Sequence, residues 1–206
     1  MTARGKLITL EGIDGAGKSS HVDFLRDRIA ARGVDVVVTR EPGGTPFGER
    51  LREVILHHPA TALAEALVMF AARSAHLEGL VEPALRSGAW VVCDRFSDST
   101  YAYQCGGRGL DPGSVEALER LVHPGFQPDA TFLFDLDPEV AGERQKARTG
   151  APDKFEREKA GFFRGVRAAY LERARRFPER IHVIDASGGV GEVRRRLQRA
   201  FMDAFP

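Results

Sequence analysis

KLITLEGIDGAGKSSHVDFL, residues 6–25, decides how the rest of the chain is read. A short apolar run comes first, followed by ten residues carrying three glycines, a lysine and two adjacent hydroxyls, and then Val22, Leu25 and Ile29 at helical spacings of three and four. The order is strand, turn, helix. Residues 12–19 fit the spacing G-x-x-x-x-G-K-[ST], and the flanking strand and helix are the context that gives the pattern meaning. Glycines let successive backbone N–H groups curl around one concavity, and the helix that follows aims the positive end of its dipole into it. The group that fits is a phosphate. Gly12, Ile13, Asp14, Gly15, Ala16, Gly17, Lys18, Ser19 and Ser20 are therefore expected to bind the polyphosphate of a nucleotide, with Lys18 reaching its outer oxygens. The Ser19 hydroxyl would ligate a Mg2+ ion bridging the last two phosphates. The bland alternative is a glycine-rich turn that caps an ordinary helix.

Composition bounds the rest. With 206 residues and 43% hydrophobic content, the chain can bury one good core, and a single domain spanning residues 1–206 is expected. Thirty Lys and Arg against 29 Asp and Glu leave a formal charge of +1, which argues against a dedicated nucleic-acid binder. Cys93 and Cys105 are too few for a disulfide framework and form no CxxC pair, which suits a reducing interior. No apolar run approaches the roughly 18–20 residues needed to cross a bilayer, so no membrane partner and a cytoplasmic location are expected.

Apolar runs at residues 7–10, 34–39, 90–93, 131–136 and 181–184 alternate with helix-length segments. That pattern predicts an α/β fold built on a parallel five-stranded sheet of the P-loop NTPase type, with helices on both faces. The first helix should stop near Gly33, Asp137 and Pro138 should cap and start another that runs towards Arg148, and residues 190–205 should form an amphipathic packing helix. Residues 46–88 read as helical over twice the length of a simple crossover.

The phosphate loop alone leaves open where the terminal phosphate goes. The chain has no N-K-x-D guanine-reading tetrapeptide and no strand ending in the acidic pair of many motor ATPases. The third strand instead runs into DRFSDSTYAYQCGGRG, residues 94–109. Asp94 at the carboxyl end of a strand is placed to hold a magnesium-bound water, and Arg95 offers a planar fork to a second phosphate. A local Asp–Arg salt bridge is the alternative.

Taken in order, EGIDGAGKSS (11–20), TREPGGT (39–45), MFAARSAH (69–76), DRFSDSTYAYQCGGRG (94–109), PDKFERE (152–158) and IDAS (184–187) resemble the thymidylate kinase family over nearly the whole chain. That resemblance implies transfer of phosphate from ATP, with Mg2+, to dTMP, giving ADP and the dTDP used for dTTP synthesis. It implies that Asp14 approaches the sugar 3′-hydroxyl and phosphate, and that Arg95, Arg40, Glu41 and Pro42 position the acceptor phosphate. Arg73 and Arg52 would contact the base, while Ser99, Thr100, Tyr103 and Gln104 line sugar and base, with the tyrosine crowding a ribose 2′-hydroxyl. It also implies a homodimer formed by long helices that include residues 62–85.

Two positions depart from the family. Four residues before Arg73, where a phenylalanine often stacks on thymine, stands Met69 with Phe70 beside it; either could form the apolar wall, or both could be core. Some members carry an arginine at the position of Gly15, and this chain resembles the group whose lid, here about residues 144–158, supplies the cations. Its candidates are Arg144, Lys146, Arg148 and Lys154, with Lys154 standing where the family has an arginine. Arg148 is thereby expected to carry more of the load, and Arg144 could stack on adenine. Residues 149–154 are expected to be mobile without ligands. The competing functions are another deoxynucleoside monophosphate kinase, or a P-loop sensor that binds nucleotide without turnover.

Overall fold

The computed structural model describes residues 4–146, 154, 155, 158 and 160–206. The run after Lys6 forms β1 (Leu7–Glu11), every residue of which is buried. Around it the chain folds as α1 (Ser19–Ala30), β2 (Val36–Arg40), α2 (Pro46–His57), α3 (Ala62–His76), a π-helical turn (Leu77–Val81), α4 (Glu82–Arg86) and β3 (Trp90–Asp94). It continues as α5 (Ser97–Thr100), a second π-helical segment (Tyr101–Gly107), α6 (Pro112–Val122), β4 (Ala130–Asp135), α7 (Pro138–Lys146), α8 (Ala160–Arg176), β5 (Ile181–Asp185) and α9 (Val190–Ala204).

The strands form one parallel sheet in the order β2-β3-β1-β4-β5. Alternate residues of β1 serve opposite faces. Ile8 and Leu10 join Leu25 and Ile29 of α1 and Val193, Leu197 and Phe201 of α9, whereas Leu7 joins Val91, Cys93, Leu77, Val81 and Leu85. Each fully buried Leu, Ile or Phe contributes roughly 1.5–3 kcal/mol, so these clusters outweigh the few tenths that separate helix propensities and hold both helical layers on the sheet. The expected five strands are present, and β2 starts at Val36, two residues later than the apolar run suggested.

Register matters more to the site than the core does. Leu10 pairs with Asp94 on one side and with Phe132 on the other, and Arg40 pairs with Asp94. The carboxyl ends of β1, β2 and β3 therefore stop together, at the edge where open α/β sheets bind ligands.

The long segment between β2 and β3 resolves into helices with identifiable starts and stops. Thr45 caps α2 by accepting from Gly48 N (3.0 Å), and Thr61 caps α3 by accepting from Ala64 N (3.3 Å). The helical path then widens: Glu82 N bonds to Leu77 O, five residues back. Pro83, which has no N–H for a carbonyl four residues back, accounts for the wide turn at that place.

A buried clamp fixes the segment after β3. Asp98 accepts from Arg173 Nε (2.8 Å) and Arg180 Nη1 (2.7 Å), tying α5 to the end of α8 and the start of β5. The second π-helical segment lies against α8 so closely that a Cβ on Gly106 would stand 2.6 Å from Gly165 O. No helix among the described residues is long and apolar enough to cross a membrane.

Candidate active site

The loop between β1 and α1 wraps the ammonium of Lys18. Its Nζ donates to Gly12 O (2.9 Å) and Ile13 O (3.2 Å), and only 6% of the residue is exposed. Burial, and then Arg95, push the Lys18 ammonium below its ordinary value, against the pull of Asp94 and Asp14. Gly15 holds φ +85°, and a Cβ there would stand 2.6 Å from Ala141 O of α7. Glycine at this position lets the loop approach α7.

Two clefts open from this loop. The larger, about 1840 Å³ including open solvent, is lined by residues 14–21 together with Arg40, Glu41, Arg52, Asp94, Arg95, Arg144, Gly188, Gly189, Val190 and Val193. Arg144 is held in it by bonds to Ala186 O (3.1 Å), Ser187 O (3.4 Å) and Gly188 O (3.4 Å). Here a buried Asp94 oxygen, Oδ1, accepts no hydrogen bond. The smaller cleft, about 570 Å³, is walled by Pro42, Arg52, Leu56, Met69, Arg73, Phe96, Ser99, Thr100, Tyr103, Gln104 and Phe155. Asp14, Glu41, Arg52 and Arg95 line both clefts.

Arg95 organises their shared wall. It is the one non-glycine residue of positive φ among the described residues, at +73°, in a left-handed conformation whose cost its contacts must offset. Its Nη2 donates to Asp14 Oδ1 (2.6 Å) and Tyr103 OH (3.0 Å), and its Nη1 to Gly12 O, Ser99 Oγ and Tyr170 OH (3.1 Å each). Tyr103 OH in turn donates to Asp14 Oδ2 (2.9 Å). Burial alone would raise the Asp14 carboxyl, but Arg95, Lys18 and the Tyr103 hydroxyl bring it down to about 2. Behind this wall Glu11, fully buried, accepts from Phe96 N (2.7 Å), Ser99 Oγ (2.6 Å) and Tyr170 OH (2.8 Å). Burial, with Asp98 next, pushes Glu11 up to about 7 against the pull of Arg95.

The floor of the smaller cleft is a second polar unit. Glu41 accepts from Arg73 Nε (2.7 Å) and pairs with His76 Nδ1 (3.0 Å), while Arg73 Nη2 donates to Thr100 Oγ1 (3.2 Å). The Arg73 guanidinium lies 4.4 Å from the Phe70 ring and 5.0 Å from that of Phe96. Its Nη1 is buried and has no hydrogen-bond partner.

The structure thus brings together most of the residues singled out in the sequence, with four exceptions. Gly12 and Ile13 line neither cleft: Ile13 is 2% exposed in the core, and both meet Lys18 Nζ through their carbonyl oxygens. Phe70 does not line either cleft; it is 1% exposed and packs with Tyr101 and Val115, stacked on His123, so Met69 is the residue of that pair on the cleft wall. Lys154 does not line the larger cleft: its Nζ is 2.8 Å from Glu65 and donates to His58 O (3.0 Å). Arg148, the side chain of Lys146 and residues 149–153 of the expected lid lie outside the described residues. Sequence reasoning gave no role to Glu11, His76, Phe155, Tyr170 or residues 188–190. Each of Glu11, His76 and Phe155 stands inside a motif quoted above, which was the available signal; Tyr170, on α8, gave none.

Comparison with known proteins then decides the family. The model of the family described as thymidylate kinase matches residues 10–197. The chain belongs to the thymidylate kinase family. Among curated members, it is 54% identical to the thymidylate kinase of Paraburkholderia xenovorans over 200 residues, covering 95% of this chain and 97% of that one. It is 53% identical to that of Thiobacillus denitrificans over 203 residues, 98% and 99% of the two chains. The crystal structure of thymidylate kinase from Ehrlichia chaffeensis superposes with a TM-score of 0.76 at 31% identity, covering 96% of this chain and 99% of that one. The family assignment agrees with the two clefts and their common wall.

Proposed function

We propose that this chain is an ATP-dependent thymidylate kinase, with the polyphosphate of ATP in the larger cleft and dTMP in the smaller one. One observation carries the assignment of the two clefts: Asp14, Glu41 and Arg95 line both, so a phosphate in one faces a phosphate in the other across a wall of fixed charge. An acceptor phosphate held at that shared wall would be placed for direct transfer, the protein's part being positioning and electrostatic stabilisation.

Each side chain has a task that its surroundings suit. The Arg95 fork binds the acceptor phosphate. Asp14, ionised at neutral pH, accepts from the sugar 3′-hydroxyl, and the Tyr103 ring stands where a ribose 2′-hydroxyl would crowd it. The free Arg73 Nη1 donates to a carbonyl edge of thymine, with Met69 and Phe155 as apolar cover. Lys18 holds the outer phosphates of ATP, and Arg144 with residues 188–190 lies at the adenine end. Lys154 reaches the polyphosphate only by leaving Glu65, so Arg148 is the lid cation assigned here.

The donor set fits Mg2+. Ser19 and Asp94 offer oxygen ligands beside Lys18, and the unpartnered Asp94 Oδ1 is the kind of acceptor a hydrated cation satisfies. Mg2+ bound there would neutralise charge on the β- and γ-phosphates. We assign the chain to the cytoplasm and read it as a homodimer, the dimer being supported by the exposed Leu63 and Leu67 on α3, at 48% and 50%.

The reading is tested by offering a panel of nucleoside monophosphates with ATP and measuring ADP release. dTMP should be preferred over dCMP, dAMP and dGMP, and Lys18→Ala should abolish the signal. ADP release that is independent of acceptor, or absent with every acceptor, would refute it.

A further inference from the structure

The smaller cleft has a buried carboxylate directly behind it. Glu65, on α3, is fully buried and does not itself line the cleft, yet it touches Gln104, which does. Gln104 Nε2, from the second π-helical segment, donates to Glu65 Oε2 at 2.9 Å, and Gln104 is 1% exposed. Two cations flank the same carboxylate: Lys154 Nζ at 2.8 Å from Oε1 and Arg108 Nε at 3.4 Å from Oε2.

We infer that Glu65 is a positioning residue for base recognition, which fixes the amide of Gln104 so that its carbonyl oxygen, and not its nitrogen, is presented to the nucleoside. A glutamine amide is ambiguous by itself, since its two ends differ only in whether they accept or donate. An ionised carboxylate only accepts. With two cations beside it, Glu65 takes the amide nitrogen, and the oxygen remains for the cleft. A base with a ring N–H at N3, such as thymine, can donate to that oxygen; neutral cytosine presents a lone pair there and meets an acceptor with an acceptor. A site built to hydrogen-bond one partner rejects the mismatched one because its own buried group is left unpaired. The inference rests on the dTMP reading above and extends it to a residue outside the cleft.

A role as a staple between α3 and the π-helical segment would also place Glu65 here, and the two roles separate in substrate preference. In Glu65→Gln the new amide can donate as well as accept, so Gln104 is free to turn over. We expect the ratio of kcat/KM for dTMP to that for dCMP to fall at least about tenfold, through a higher KM for dTMP and a gain with dCMP. In a Gln104→Ala background the same change should leave the ratio where Gln104→Ala alone puts it. An unchanged ratio in Glu65→Gln, with both substrates slowed alike, would overturn the inference while leaving the dTMP reading intact; a wild-type protein indifferent to the base would overturn both. Should Glu65→Gln not fold, hydrogen exchange of the Gln104 side-chain amide in the wild-type protein decides: slow exchange with and without dTMP is expected, and exchange at the rate of free glutamine contradicts it.

Discussion

Arg95 Nη2 stands 2.6 Å from Asp14 Oδ1 and so joins the end of β3 to the phosphate loop after β1. The pair lies where three strands end in register, and both residues line both clefts. Charge, geometry and topology thus converge on one wall. A lysine at position 95 would keep the charge and lose the planar fork. Arg95→Lys should therefore lower kcat/KM for dTMP by about 10²–10³-fold, the usual size of effect for a lost transition-state donor, while leaving the far-ultraviolet circular dichroism unchanged.

Phe70 and Phe155 should fail in different ways. Phe70 is fully enclosed between Arg73, His123 and the third core cluster, so Phe70→Ala should cost about 3–5 kcal/mol in denaturant unfolding. Phe155 lies on the cleft wall, edge-on to Tyr103 with ring centroids 5.7 Å apart. Phe155→Ala should raise the KM for dTMP about tenfold or more, with little change in the KM for ATP.

Glu11 ties stability to pH. Its carboxyl stands at about 7 in the folded chain against an ordinary 4.5, so between those two values the folded state binds the extra proton. Stability is then lost as pH rises from about 4.5 to 7 and is flat above, by roughly 3 kcal/mol for this group. Burial lowers His123 and His182, which act in the opposite sense near pH 6.5, so the informative quantity is a difference. Across pH 4.5–7 the stability of Glu11→Gln minus that of the wild type should rise with pH. A flat difference in urea titrations across that window would show that Glu11 is not raised.

An arginine cannot simply be installed in the loop. At position 15 a side chain meets the Ala141 carbonyl and takes a φ of +85°, so Gly15→Arg should lower stability by about 1–3 kcal/mol and weaken ATP binding. Isothermal titration with a non-hydrolysable ATP analogue measures the second effect.

The sequence made the frame legible because each element carried its own local signal. β1, the loop and α1 were readable from an apolar run, glycines and a three-four repeat, and α9 from Val193, Leu197 and Phe201 falling on one face. Asp137 does lead into α7, its Oδ1 accepting from Glu139 N (2.9 Å). What stayed hidden was set by tertiary contact. Whether Met69 or Phe70 faces the smaller cleft depends on the rotation of α3, and Phe70 is held away from it by packing with Tyr101 and His123. The partner of Lys154 could not be foreseen, because Glu65 lies on α3, far away in the sequence, and nothing in DKFE points to it. Tyr170 reaches Glu11 across 159 residues of chain, a distance that no local pattern spans.

The most direct test is a crystal structure of the protein with ADP, Mg2+ and dTMP bound together. The account predicts the ADP phosphates around Lys18 in the larger cleft and dTMP in the smaller, with the Arg95 guanidinium on the dTMP phosphate. A dTMP phosphate seated away from Arg95, or either nucleotide held outside these two clefts, would contradict it.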